Sequence, residues 1–138
     1  MDYARPRGIE TMKSREDIES YLMKIGLPYE QPGQEMWILK PQGNENLLVT
    51  IAGPVVVFRC KVMDVPSGKR EALYAALLAL NATEMVHGAF GVEGEAVVIT
   101  HALQLENLDY NEFQAVVEDI TLSIGRHYPQ LSKFRAAA

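Results

Sequence analysis

The sequence has few of the residues that build covalent, metal or nucleic-acid sites. It contains a single cysteine, Cys60, so it can form no internal disulfide and offers no cysteine-rich zinc site. Lys and Arg total 13 against 18 Asp and Glu, and the net charge of −5 opposes binding to a phosphate backbone. These shortages exclude a disulfide-bonded scaffold and lead us to expect no nucleic-acid partner.

Long apolar runs are also missing. The longest run, at residues 72–80, is far shorter than the roughly 20 residues that a bilayer-spanning helix needs. The first residues of the chain lack the apolar stretch of a signal peptide. We therefore expect no membrane segment and interpret the protein as cytoplasmic.

What the sequence does contain is typical of one globular domain. It has 138 residues, of which 48% are hydrophobic and 22% charged. A domain of this size buries enough surface to fold without a disulfide or a metal. We predict a flexible tail at residues 1–13, a single domain at 14–130 and a second tail at 131–138.

Capping residues and apolar periodicity predict a first and a last helix. The first begins at Ser14, where Asp17 completes a capping box, and ends at Gly26. The last begins at Asp109 and is stopped by Pro129. Each has one apolar stripe, as expected of a helix packed on a core.

A helix between these two has almost no polar face. Either Asp64 or Ser67 can cap its start, and residues 72–80 are apolar around most of the circumference. Such a helix must be covered on more than one side, and a chain of this length has little left to cover it. We therefore predict a homodimer in which this helix packs on a second copy across a two-fold axis.

Three strands are predicted at 35–40, 46–52 and 55–63, with turns at Gly43-Asn44 and Gly53-Pro54. The turns bring apolar residues opposite each other, as half-buried strands require. The predicted pairs are Ile51 with Val56, Val49 with Phe58, Leu47 with Cys60, Ile38 with Val49 and Met36 with Ile51.

This register places Trp37 and Leu39 on the opposite face of the sheet, together with Leu48 and Val57. That face is too apolar for a simple solvent face. Two interpretations stay open: another element covers it, or it is an exposed docking patch for a partner protein, centred on Trp37 and Leu39.

A second hairpin is predicted at residues 85–102, with a two-residue turn at Glu93-Gly94 that pairs Phe90 with Val97. This turn places His87 and His101 on opposite faces, so we expect no metal bound between them. The resulting order is αβββαββα, an α+β fold with a five-stranded, mostly antiparallel sheet.

Motifs for catalysis and cofactor binding are missing from the sequence. It has no H-E-x-x-H zinc motif, no G-x-S-x-G nucleophile motif and no complete phosphate-binding loop. The predicted register buries Cys60, where a thiol is inert. We predict a non-enzymatic protein without a cofactor. A small-molecule-binding or enzymatic domain, with a pocket between sheet and helices, is the alternative, because sites assemble in space.

The chain resembles the type III secretion chaperone-like superfamily, which includes the Tir-chaperone family and the YbjN-type regulators. The resembling residues are Leu-Leu-Ala-Leu-Asn at 77–81, Phe-Gly-Val-Glu-Gly-Glu-Ala-Val-Val at 90–98, residues 103–105 and 108–109, and Phe113, Val116 and Ile120. The resemblance implies a homodimeric, non-enzymatic protein that binds a segment of a protein partner. It maps the dimer interface onto Leu73, Tyr74, Leu77 and Leu78, and partner docking onto the first helix and the first strand, near Trp37 and Leu39.

Overall fold

The computed structural model describes residues 14–41 and 46–137. The predicted N-terminal tail and the predicted turn at 43–44 lie outside these residues. The described elements are α1 (Arg15–Ile25), β1 (Tyr29–Gly33), β2 (Met36–Leu39), β3 (Leu47–Ala52), β4 (Val55–Asp64), α2 (Arg70–Thr83), β5 (Ala89–Glu93), β6 (Ala96–Gln104), α3 (Tyr110–Leu131) and a 3-10 helix (Ser132–Ala137).

The strands form one antiparallel sheet in the order β1-β2-β3-β4-β6-β5. This confirms the predicted α+β class. The sheet has six strands where five were predicted. The additional strand, β1, was not predicted because its sequence, Tyr-Glu-Gln-Pro-Gly, has no apolar alternation and all its residues are exposed. Pro32 is tolerated there because β1 is an edge strand.

One face of the sheet carries the core. The inward side chains of the strands and the apolar stripes of the helices form a single buried cluster. The ring of Phe113 on α3 lies 5.7 Å from the rings of Phe58 on β4 and Tyr21 on α1, measured between centroids. The Tyr21 hydroxyl donates to the carbonyl of Leu108 at 2.9 Å, which ties α1 to the start of α3.

The β3–β4 hairpin has the predicted register, with Ile51 opposite Val56 and Leu47 opposite Cys60. The predicted register of β2 was wrong by one residue. Trp37, not Ile38, lies opposite Val49. The physical reason is that the β2–β3 connection is longer than a two-residue turn at 43–44, since β2 ends at residue 39 and β3 begins at residue 47.

A change of register by one residue moves every side chain of a strand to the opposite face of the sheet. Trp37 and Leu39 therefore face the core, and both are 0% exposed. Their predicted place on the outer face was wrong, so neither can belong to an exposed docking patch. Met36 and Ile38 take their place on the outer face, where Leu48 and Val57 lie as predicted.

The β5–β6 hairpin also differs from its prediction. Phe90 lies opposite Ile99, not Val97, because the turn is formed by Gly94 and Glu95. Gly94 has a φ of 61°, and the first position of a tight hairpin turn favours a glycine in that left-handed conformation. The shift of two residues keeps Phe90 and Val97 on the inner face, where both are buried.

The start of α2 was also predicted wrongly. Asp64 belongs to β4, opposite Ala96, and the N–H of Val65 continues that ladder by donating to the carbonyl of Glu95 at 2.8 Å. Neither Asp64 nor Ser67 caps the helix. The N-cap is Lys69, in a left-handed conformation and without a side-chain capping bond.

The end of α3 lies beyond the predicted stop. Pro129 is inside the helix, which continues to Leu131 and passes into the 3-10 helix. Leu131 is fully buried in the core and Phe134 packs against it. Apolar residues beyond the predicted domain boundary at residue 130 therefore contact the core.

Asn81 joins α2 to the edge strand β5. Its side-chain NH2 donates to the carbonyl of Phe90 at 3.0 Å, and its side-chain oxygen accepts from the N–H of Phe90 at 2.7 Å. These backbone groups point away from β6, so Asn81 takes the place that a neighbouring strand would occupy.

We expect Asn81→Ala to lower the free energy of unfolding by about 1–3 kcal/mol, because it leaves two partly buried backbone groups without their partner. Urea denaturation measures this loss. Asn111→Ala is the matched control, because Asn111 is exposed in the first turn of α3. Equal losses in the two variants would contradict the role given to Asn81.

The register of β2 can be tested by a pair of substitutions in adjacent residues. Trp37→Ala empties a fully buried position and should cost about 3–5 kcal/mol, and Ile38→Ala on the outer face should cost clearly less. Thermal and urea denaturation of both variants show which substitution costs more stability. The reverse order would support the register predicted from the turn at 43–44.

Candidate interaction surfaces

The predicted dimer-interface residues divide between the core and the surface. Leu73 and Leu77 point inward and are buried, so little of their surface is free to contact a second copy. Tyr74 is half-buried and Leu78 is 68% exposed. Two of the four predicted residues therefore remain available for contact on α2.

Leu78 is part of a continuous apolar surface with the edge strand. A groove of about 180 Å³ runs between α2 and β5, and we call it the α2–β5 surface. Its lining residues, none of them charged, are Tyr74, Leu77, Leu78, Asn81, Phe90, Gly91 and Val92. Because backbone direction alternates along a strand, the N–H and C=O of Val92 point to the same open edge as those of Phe90.

A second apolar groove lies between the two helices that cover the sheet. It has a volume of about 340 Å³, and we call it the α1–α3 groove. Its lining residues are Ile25, Leu27, Pro41, Gln114, Val117, Glu118, Thr121 and Leu122. Leu122 is 59% exposed. An apolar cleft with polar residues at its margin is typical of a binding site.

The end of α1 shapes this groove and joins it to a sheet edge. Gly26 ends the helix in a left-handed conformation, and its N–H donates to the carbonyl of Leu22 at 3.1 Å. The chain then passes through Leu27 into β1, which pairs with β2 on one side and is open on the other. The groove and the open edge are therefore adjacent in the chain.

The outer face of the sheet has a third groove, of about 350 Å³, which we call the sheet groove. Its apolar lining residues are Ile38, Leu48, Ala96 and Val98. Two ion pairs stand beside it: Arg59 with Glu93 at 3.3 Å and Lys61 with Asp64 at 2.6 Å. The hydrogen bond from Lys61 holds the pKa of the Asp64 carboxyl below its usual value.

His87 and His101 do not point to opposite faces, as the predicted hairpin required. Their rings are in edge-to-face contact, 5.9 Å between centroids, because residues 86–88 form a bend and Gly88 turns the chain before β5 begins. Within residues 14–41 and 46–137, no group of three or more His, Cys, Asp and Glu side chains is arranged to hold a metal. In the same part of the chain, no helix is long and apolar enough to cross a bilayer.

The sequence profile of the CesT_Tir_1 family, a family of type III secretion chaperones, matches residues 11–137. The chain belongs to this family. The match covers α1 to the 3-10 helix and confirms the resemblance drawn from the sequence. No curated protein sequence matches the chain significantly.

Solved structures agree on the fold at low sequence identity. A chain of the ExoU–SpcU complex from the type III secretion system of Pseudomonas aeruginosa has a TM-score of 0.66 at 16% identity, with 81% of this chain and 95% of that chain covered. YbjN from E. coli has a TM-score of 0.65 at 17% identity, with 85% and 92% covered. A chain of the Yersinia pestis secretion chaperone SycH in complex with a fragment of YscM2 has a TM-score of 0.61 at 10% identity, with 81% and 97% covered.

Proposed function

We propose that the protein is a non-enzymatic, homodimeric, cytoplasmic chaperone that holds a segment of one partner protein on its surface. Its family and its structural similarity to chains of chaperone complexes support a protein-binding role. The observation that carries the proposal is the α1–α3 groove beside an open strand edge, since this pair of features suits an extended polypeptide.

The α2–β5 surface is the proposed dimer interface. It is apolar and uncharged, so a second copy can cover it without desolvating an ion. Tyr74 and Leu78 from each copy would meet across a two-fold axis, which is the usual symmetry of a homodimer. The open edge at Val92 adds backbone groups that can pair across the same axis.

The partner segment is proposed to bind at β1 and in the α1–α3 groove. Part of the segment would add a strand to the open edge of β1, and apolar side chains beside it would enter the groove. Glu118 lines the groove and Glu19 lies near β1, where its carboxylate accepts from Gln31 at 3.3 Å. These carboxylates favour basic residues flanking the apolar ones in the partner.

Leu48 and Val57 remain proposed docking residues in a second role. They lie on the outer face, which extends across the sheet from β1. A strand added at β1 would widen this face. The outward side chains of the added strand would then extend toward the sheet groove. Leu48 lines that groove and Val57 lies two residues before Arg59 on the same strand.

The dimer interface is tested by Leu78→Asp. Leu78 is exposed, so the substitution should leave the fold intact and place two carboxylates against each other in the dimer, which should weaken association at least tenfold. Light scattering over a range of concentrations measures the dimer fraction, and Leu122→Asp is the control for an exposed leucine elsewhere. A Leu78→Asp protein that stays dimeric would place the interface on another surface.

The docking site is tested by Leu122→Asp, with Met23→Asp as its control. Both residues are exposed and apolar, and Leu122 lines the groove whereas Met23 does not. Affinity capture from the native cell lysate, followed by mass spectrometry, should recover one stoichiometric protein with the wild type and with Met23→Asp. Leu122→Asp should recover at least tenfold less of that protein.

Equal recovery by both variants would contradict the assignment of the α1–α3 groove. A co-purifying metabolite in place of a protein would support the alternative of a small-molecule-binding domain. For the wild type, moderate salt should lower recovery, because part of the attraction is assigned to exposed carboxylates.

A further inference from the structure

The segment between α2 and β5 is bound to α3 by one carboxylate. The N–H of His87 donates to Oδ2 of Asp119 at 2.9 Å. Nδ1 of the same histidine lies 3.3 Å from that oxygen, and this buried nitrogen makes no hydrogen bond among the described residues. Asp119 therefore holds the backbone of the segment and also stands next to an atom that can gain a proton.

A second imidazole completes the cluster. His101 lies on the inner side of β6, and its ring meets that of His87 at 5.9 Å with an interplanar angle of 89°. Burial, and then the neighbouring His87, hold the pKa of His101 below its ordinary value of 6.5, and Asp119 opposes this shift. The cluster thus has two groups that can become positive and one that is negative.

Among residues 14–41 and 46–137, His87 and Asp119 are the titratable neighbours that shift the pKa of His101. β4 places Phe58 opposite His101, and β5 begins at Ala89. The third histidine, His127 on α3, packs its ring against Phe90 at 6.1 Å and not against either imidazole. Among the described residues, Asp119 is thus the carboxylate that determines the charge balance of His87 and His101.

We propose that His87, His101 and Asp119 form a proton-sensitive latch that holds residues 84–88 against α3 near neutral pH and releases them in acid. With His101 neutral, the hydrogen bond from the N–H of His87 to Asp119 holds the segment. A proton on His101 puts a positive charge into partly buried surroundings and against the ring of His87, and both effects oppose the closed arrangement.

The latch releases a whole segment because Gly88 fits closely against β6. Gly88 has a φ of 88°, and a Cβ at this position would lie 3.0 Å from the carbonyl oxygen of Thr100. The segment therefore has no room to move toward β6, and the movement left to it is away from the sheet. Release would free Val86, which is already 78% exposed, and would loosen the first residues of β5.

The direction of the pH effect follows from His101. Its pKa is depressed with the segment in place, so His101 binds a proton less readily in the closed arrangement than after release of the segment. The stabilisation is therefore present above pH 6.5 and is lost as the pH falls through the depressed value. The latch acts within one chain and does not depend on the proposed dimer or on a partner.

Hydrogen exchange followed by mass spectrometry tests the latch in the full chain. Between pH 7.5 and pH 5, and after correction for intrinsic exchange, wild-type residues 84–90 should lose protection, by no more than about thirtyfold, because pH 5 lies about 1.5 units below the ordinary pKa of His101. His101→Gln should keep the protection at both values, and Asp119→Ala, which removes the acceptor of the His87 N–H, should lack it at both. Peptides from the middle of α3 serve as the internal reference.

Two results would overturn the proposal. One is a loss of protection in His101→Gln that parallels the wild type, and the other is a loss that spreads evenly over the whole chain. If His101→Gln does not fold, NMR titration of the His101 imidazole replaces it. The midpoint for His101 should rise in His87→Gln, and an unchanged midpoint would show that the two rings are not coupled. The same exchange experiment in Leu78→Asp separates the latch from the dimer.

Discussion

The two hydrogen bonds between Asn81 and the backbone of Phe90 fix the position of α2 relative to the sheet. They place the helix beside an edge strand, not over the middle of the sheet. From this position, one leucine stripe enters the core and the other side of the helix stays in solvent. A single polar side chain thus satisfies the outward backbone groups of Phe90 and helps determine which apolar residues of the helix remain exposed.

The sheet has a covered face and an open face, and this asymmetry positions the remaining surfaces. α1 and α3 lie side by side on the covered face, and the gap between their apolar stripes becomes the α1–α3 groove. The edge strand β1 leaves this gap directly after Leu27. The proposed docking region is therefore a direct result of how two helices of unequal length cover one twisted sheet.

Local signals in the sequence predicted much of this fold, and the failures have identifiable causes. Caps at Ser14 and Asp109, and the turn at 53–54, involve residues close in the chain, and all three were predicted correctly. The register of β2 was predicted from a two-residue turn at Gly43-Asn44, which does not fit the observed pairing of Leu39 with Leu47, so Trp37 was placed on the wrong face. The α1–α3 groove and strand β1 were missed because the groove joins residues far apart in the chain and β1 lacks alternation. One signal was available: Leu122 falls outside the apolar stripe of its helix.

The burial of Trp37 gives the protein an internal optical probe. It is the single tryptophan of the chain, it is fully buried in β2, and its indole N–H has no hydrogen-bond partner among the described residues. An indole in such apolar surroundings emits at short wavelength and shifts to longer wavelength when water reaches it. Its fluorescence therefore reports the integrity of the core with no added label. Ligands that bind on the surface should leave its emission nearly unchanged, so unfolding and binding can be distinguished in one sample.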